Sequence, residues 1–173
     1  MTEVLFTPWR LAYLTSGGAG PKDACLFCVL AQESDADALI VHRARFTYVL
    51  LNRYPYSNAH LMITPYAHRA GLFDMTAEER YEVMELGALS EEILRSEYQP
   101  HGLNLGLNLG KSAGAGVVGH AHLHVVPRWD GDTNFMMVIG GTRTVPEDLG
   151  MTRNRLAPRF RELSQKVPER ELA

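Results

Sequence analysis

Cysteine is nearly absent from this chain: two in 173 residues, both in Cys25-Leu26-Phe27-Cys28. A disulfide framework is therefore excluded, and the close pair points to metal binding or redox chemistry. No run of eighteen apolar residues occurs, so no membrane span is expected. Neither sign of charge dominates: 17 Lys and Arg stand against 20 Asp and Glu, a net charge of −3. That lacks the basic excess of a nucleic-acid binder, so no nucleic-acid partner is expected. The stretch from Met151 to Ala173 collects basic residues, but Glu162, Glu169 and Glu171 dilute it, as on a solvated helix face. Met1 to Arg10 lacks the basic start and apolar core of a secretory leader, which leaves the cytoplasm as the expected compartment. Internal repeats and low-complexity tracts are missing too. One domain is the default at this length, burying roughly two thirds of its unfolded surface.

Histidine is what the chain does have, and in an unusual place. Three of the seven fall at His120, His122 and His124, separated by Ala121 and Leu123 and running into Val125 and Val126. Apolar and β-branched residues at a period of two predict a strand with the three imidazoles on one face. Neighbouring rings then stand roughly 6–7 Å apart, from a rise of about 3.3 Å per residue. A core strand has no use for such a row, because every buried ring nitrogen needs a partner. A phosphate or metal site does. Just upstream, Gly110 to Gly116 reads Gly-Lys-Ser-Ala-Gly-Ala-Gly. Its glycines let backbone N–H groups turn toward an anion, and Lys111 and Ser112 add donors. It is not a Walker loop, since no helix is expected to follow. Neutral imidazole can attack phosphorus and form a phosphoramidate that a second nucleophile opens. His122, in the middle, is the natural attacker.

The rest of the chain reads as strands around one long helix. Strands are expected at Leu39–His42, Phe46–Asn52, His60–Thr64 and Phe135–Ile139, and Leu103–Leu109 alternates leucines with Asn104 and Asn108. Thr76 and Glu79 have capping-box spacing, and Val83, Leu86, Leu89, Ile93 and Leu94 keep helical spacing to about Tyr98. A shorter helix across Arg153–Lys166 is expected, with Pro158 inside it as the objection. The pattern predicts an α+β fold with a mainly antiparallel sheet. His42 and His101 read as surface residues, and His60 as a strand or core residue.

These residues resemble the histidine triad family of nucleotide hydrolases and transferases, whose motif is His-φ-His-φ-His-φ-φ with φ apolar. It runs from His120 to Val126 without a fault. Pro127 to Phe135 is similar to the extension of the diadenosine-polyphosphate branch, which includes the fragile-histidine-triad hydrolases and a bacterial phosphorylase group. Leu51 to Pro55 and Ala59 to Pro65 look like that branch's nucleoside-binding strand pair, and Pro8-Trp9-Arg10 like its arm. The resemblance implies an arm at 1–24, a histidine triad domain at 25–150 and a helical tail at 151–173. It implies a homodimer that cleaves dinucleoside polyphosphates such as diadenosine tetraphosphate or triphosphate, giving products such as AMP and ATP, through a nucleotidyl-histidine. Water or phosphate would be the acceptor. His122 would be the nucleophile, His124 would serve the phosphate or leaving oxygen, and His120 would complete the catalytic set. Asn52 would contact the ribose and Asn108 the phosphate. Many relatives carry Gln or Ser in the phosphate loop, where this chain has Ala115-Gly116-Val117. By itself the Cys pair divides among redox motif, half a zinc site and chance. Pro65-Tyr66-Ala67-His68 resembles the step that supplies a further ligand in some relatives. Cys25, Cys28, His68 and His120 would then form a closed, structural Cys₂His₂ zinc site. The rival readings are an adenosine phosphoramidase and a nucleotide-binding module with little turnover.

Overall fold

A computed structural model of the protein describes residues 24–132 and 147–165. The N-terminal arm and the strand expected at Phe135–Ile139 lie outside the described residues. In chain order the elements are α1 (Leu26–Leu30), β1 (Ile40–Arg43), β2 (Thr47–Leu51), β3 (Leu61–Pro65) and α2 (Ala77–Tyr98). These are followed by β4 (Gly102–Leu107), a 3₁₀ turn (Lys111–Ala113), β5 (Leu123–Arg128) and α3 (Leu149–Ser164). The five strands form one sheet in the order β1-β2-β3-β5-β4, every described pairing antiparallel. The α+β class read from the sequence is therefore correct. No helix among the described residues is long and apolar enough to cross a membrane.

Alternation divides the sheet into two faces. Val49, Leu51, Leu61, Ile63, Leu123 and Val125 point toward α2 and α3, meeting Val83, Leu86, Ile93, Leu156 and Phe160 in the main core. Tyr48, Leu50 and Met62 point the other way, against Phe27 of α1. The same alternation sends His124 to this second face, because it pairs with Met62 across the β3–β5 ladder. α2 starts where its capping box predicts. Thr76 Oγ1 accepts from the Glu79 N–H, and the Glu79 carboxylate accepts from the Thr76 N–H at 2.8 Å. Glu79 also binds Arg69 at 3.0 Å, and the Arg69 carbonyl accepts from the Ala121 N–H. The start of the long helix is thus tied to the segment carrying the triplet.

One expectation about local structure fails and one objection to an expected helix falls, each for a physical reason. The histidine strand begins at Leu123, not His120. Ahead of it, Ala121 is held by the Arg69 carbonyl and by the Thr64 hydroxyl rather than by a regular ladder. Pro158 does not stop α3, which runs from Leu149 to Ser164. Both Pro158 and Asn154, whose carbonyl lacks a donor there, are exposed, so water can replace the missing bond. Thr152, Leu156 and Phe160 occupy the opposite, buried face.

His42 is not an ordinary surface residue. The β1–β2 register shifts between Ile40 and His42, which brings His42 to the same side as Val41. Its ring stacks on Phe160 at 5.6 Å. Burial holds this imidazole below its ordinary range, with Glu82 pulling weakly the other way. The unfolded chain therefore takes up the proton first as pH falls, and His42 destabilises the fold below about pH 6.5. In His42→Phe, the fall in Tm between about pH 7.5 and about pH 5.5 should shrink relative to the parent. An identical fall contradicts this assignment.

Candidate active site and metal cluster

A cleft of about 370 Å³ opens on the second face of the sheet, within the size range of small-molecule sites. Leu26, Phe27, Val29 and Leu30 of α1 make one wall, and Leu50, Leu51 and Asn52 from the end of β2 make another. Gly114, Gly116 and Val117 of the glycine loop close it beside His122 and His124. An apolar slot leading to two imidazoles and a strip of backbone suits a flat ring joined to an anion. Gly114 holds φ +87°, a conformation that side-chain-bearing residues rarely adopt, so the loop needs glycine there. Gly119, at φ +86°, needs it again just before the triplet.

The hydrogen-bond partners fix which nitrogen of each histidine carries its proton. His122 Nδ1 lies 2.9 Å from the His120 carbonyl, which can only accept. Nδ1 is therefore protonated, and Nε2 carries the lone pair. His122 is 5% exposed, and burial pushes its imidazole below the usual histidine range, outweighing the carbonyl that favours the charged form. A neutral ring with a defined lone pair is what attack on phosphorus requires.

His124 is set by a residue whose role the sequence reading missed. The Tyr56 N–H donates to His60 Nδ1 at 3.1 Å. His60 Nε2 then carries the proton and donates to His124 Nδ1 at 3.0 Å. His124 is left with its proton on Nε2. The rings of His122 and His124 meet edge to face, centroids 4.8 Å apart. Lone pair and proton thus stand side by side in one cleft. His60 was read as a strand or core residue, and it is buried (1% exposed), but its ring also stacks on Tyr56 at 4.9 Å and orients a neighbour. The available signal was the rule that a buried imidazole needs two partners. His60→Phe should lower kcat roughly 10- to 100-fold, in the range seen when a general acid is disoriented. The loss should be smaller on a substrate with a better leaving group. Equal losses on both substrates contradict this role.

His120 faces elsewhere. It does not line the cleft; its Nε2–H donates to the Pro65 carbonyl at 3.0 Å, so Nδ1 is the lone-pair nitrogen. Nδ1 lies 3.1 Å from Cys25 Sγ and 3.6 Å from Cys28 Sγ, and His68 Nδ1 lies 3.5 Å from Cys28 Sγ. One ligand atom from each of these four residues falls within 4.8 Å of all the others. Tetrahedral zinc with bonds of about 2.0–2.3 Å separates its ligand atoms by roughly 3.3–3.8 Å. The cluster therefore fits such a metal after sub-ångström adjustment. The Pro65 carbonyl supplies the outer partner that fixes a ligating imidazole. Burial and the neighbouring Cys25 push the Cys28 thiol up from its ordinary value, and a bound cation would favour its thiolate.

The remaining expected site residues divide. Asn52 lines the cleft, its Oδ1 accepting from the Tyr54 N–H at 2.9 Å. Asn108 is half-buried, Lys111 and Ser112 are exposed on the 3₁₀ turn, and none of the three lines the cleft. His101 is exposed, as read from the sequence, and lies 3.1 Å from Asp130. At the loop wall the cleft is lined by Gly114, Gly116 and Val117.

Comparison with known proteins agrees with this geometry. A family model for the HIT domain matches residues 33–131. The AP-4-A phosphorylase of Mycobacterium tuberculosis is 40% identical over 159 residues, spanning 88% of this chain and 82% of that protein. Protein hit of Bacillus subtilis is 26% identical over 138 residues, spanning 79% of this chain and 94% of its own length. Among solved structures, a Zn-bound histidine triad family protein from Mycobacterium smegmatis superposes with a TM-score of 0.66 at 25% identity. That match covers 84% of this chain and 99% of the other. A hypothetical histidine triad nucleotide-binding protein from Sulfolobus tokodaii shares the fold, with a TM-score of 0.66 at 22% identity over 86% of this chain and 100% of its own. The chain belongs to the HIT-domain family, the histidine triad proteins.

Proposed function

We propose that this protein moves a nucleoside monophosphate from a dinucleoside polyphosphate to inorganic phosphate, through a phosphoramidate on His122. The observation that carries this reading is the tautomer pair: a lone pair on His122 Nε2 and a proton on His124 Nε2 in one cleft. His122 Nε2 forms a bond to the α-phosphorus as the bond to the leaving polyphosphate breaks. The electron pair departs on the bridging oxygen, which takes the proton from His124 Nε2. Phosphate then attacks the same phosphorus and His122 leaves, so diadenosine tetraphosphate gives ATP and ADP. Water in place of phosphate would give AMP. The 40% identity to a phosphorylase favours phosphate as acceptor.

The base fits the slot between α1 and the end of β2, with Asn52 at the ribose. Amides of Gly114 to Gly116 are suited to the reacting phosphate. Asn108, Lys111 and Ser112, set back from the cleft, suit the distal phosphates of a long chain. The Cys25, Cys28, His68 and His120 cluster is assigned to zinc, on its donor set and on the Zn-bound relative. All four positions come from protein, so this metal holds structure together and takes no part in the chemistry. Its two reduced thiols suit the cytoplasm. A homodimer is supported by β4, which ends the sheet order among the described residues and leaves Leu105 42% exposed there.

Product analysis after incubation with diadenosine tetraphosphate tests the assignment. ATP and ADP formed only when phosphate is present is the expected result. ATP and AMP formed regardless of phosphate contradict phosphate as acceptor. Faster release of amine from adenosine phosphoramidate would favour the phosphoramidase reading instead.

A further inference from the structure

We propose that Cys25 and Cys28 are a redox modification site whose oxidation weakens nucleotide binding, resting on the zinc assignment above. The same short element serves both the metal cluster and the nucleotide cleft. α1 has only five residues, far below the length at which an isolated helix is stable, so its position depends on what it is attached to. Cys25 caps its start and Cys28 lies one turn on, placing both sulfurs toward His120 and His68. Between them sits Phe27, whose ring lies 5.3 Å from that of His120 and 4.7 Å from that of His122, and which lines the cleft. Two further anchors are of another kind: the Tyr48 hydroxyl donates to the Phe27 carbonyl, between the cysteines, and Arg43 Nη1 to the Ala31 carbonyl at the far end. α1 is thus tied to the triplet by its two sulfurs, and to the sheet at Phe27 and Ala31 by hydrogen bonds that need no metal.

Both cysteines are partly exposed, and His68 opens the cluster to solvent. A peroxide can reach them. Two zinc thiolates, one hydrogen peroxide and two protons give one disulfide, two waters and a released metal ion. Sulfur is oxidised and the peroxide oxygens are reduced; a dithiol reverses the change. The new S–S bond satisfies the two sulfurs with each other and cuts both ties to His68 and His120. Cys25 and Leu26, at the start of the cleft wall, then lose their fixed distance from His120, while Tyr48 still holds the Phe27 carbonyl. His120 loses the ligand bond that holds its ring, and its carbonyl is what fixes the His122 tautomer.

The test uses the reduced, zinc-loaded protein treated stepwise with hydrogen peroxide, following free thiols, zinc released to a chromogenic chelator, and AMP affinity by calorimetry. Thiols and zinc should be lost together, and AMP binding should weaken about tenfold, the effect of losing one well-packed apolar contact. Dithiothreitol with added zinc should restore all three, which separates thiol oxidation from methionine sulfoxide, since a dithiol does not reverse the latter at this rate. Oxidised, zinc-free protein that binds AMP within about twofold of the starting affinity overturns the switch and leaves the metal assignment standing. Protein that carries no zinc after expression in zinc-replete medium overturns the metal assignment, and the switch with it. Loss of the whole far-ultraviolet helical signal on oxidation overturns a local device, because the main core would then have gone too.

Discussion

His122→Ala should lower kcat on diadenosine tetraphosphate by roughly 10⁴-fold or more, the scale on which enzymes lose rate when a covalent nucleophile is removed. AMP affinity should stay within about threefold of the parent, since the side chain removed is one wall residue among many. The expectation follows from the atoms. Among the described residues lining the cleft, His122 is the imidazole that presents a lone pair beside a proton donor, because the His120 carbonyl holds the proton on its other nitrogen. His124 Nδ1 already accepts from His60, so His124 does not replace it. The shortened side chain leaves Phe27 without a packing partner at 4.7 Å, which adds a modest loss of stability. Retained turnover in this variant contradicts the mechanism. Lost binding together with lost turnover would make His122 a binding residue rather than a nucleophile.

Metal removal should have the second large effect, on stability rather than on chemistry. A tetrahedral ion at this cluster joins positions 40 residues apart, Cys28 and His68, and 95 apart, Cys25 and His120. Cross-links over loops of such length stabilise by about 4–5 kcal/mol in the chain-entropy picture. For a chain of this size that corresponds to a fall in Tm of about 10 °C. Chelation under reducing conditions, or Cys25→Ser with Cys28→Ser, should give the same fall by differential scanning calorimetry. Equal Tm values with and without chelator contradict a structural metal. The main core on the opposite face does not involve the cluster, so the sheet should survive.

Much of this was legible in the sequence because its signals are local. The capping box at Thr76 and Glu79, the alternation of Leu103–Leu109 and the period of two at His120–His124 each belong to a few neighbouring residues. The Cys pair by itself left redox, half a zinc site and chance open; only the family resemblance at Pro65 to His68 pointed to the cluster that the fold assembles from three distant segments. What was not legible depends on contacts across the chain. The strand at the triplet starts late because Arg69 and Thr64, brought in by other elements, hold Ala121. α3 runs through Pro158 because that residue faces solvent, and exposure is a property of the packed molecule. His42 is half-buried because of a register shift that no spacing rule encodes. His60 looked like filler for the core, since only the register of β3 on β5 brings it against His124. The sequence motif named three histidines; the fold uses His60 as a fourth and turns His120 toward the cysteines.

The central claim is a covalent bond between one imidazole nitrogen and phosphorus. Rapid acid-free quenching of the protein with diadenosine tetraphosphate, without phosphate, followed by intact-mass and peptide mass spectrometry, tests it directly. An adenylyl group on His122, absent from His122→Ala and discharged to ADP when phosphate is added, is the result this account predicts. Steady turnover with no adduct at any time, or an adduct carried by His124 instead, would contradict it.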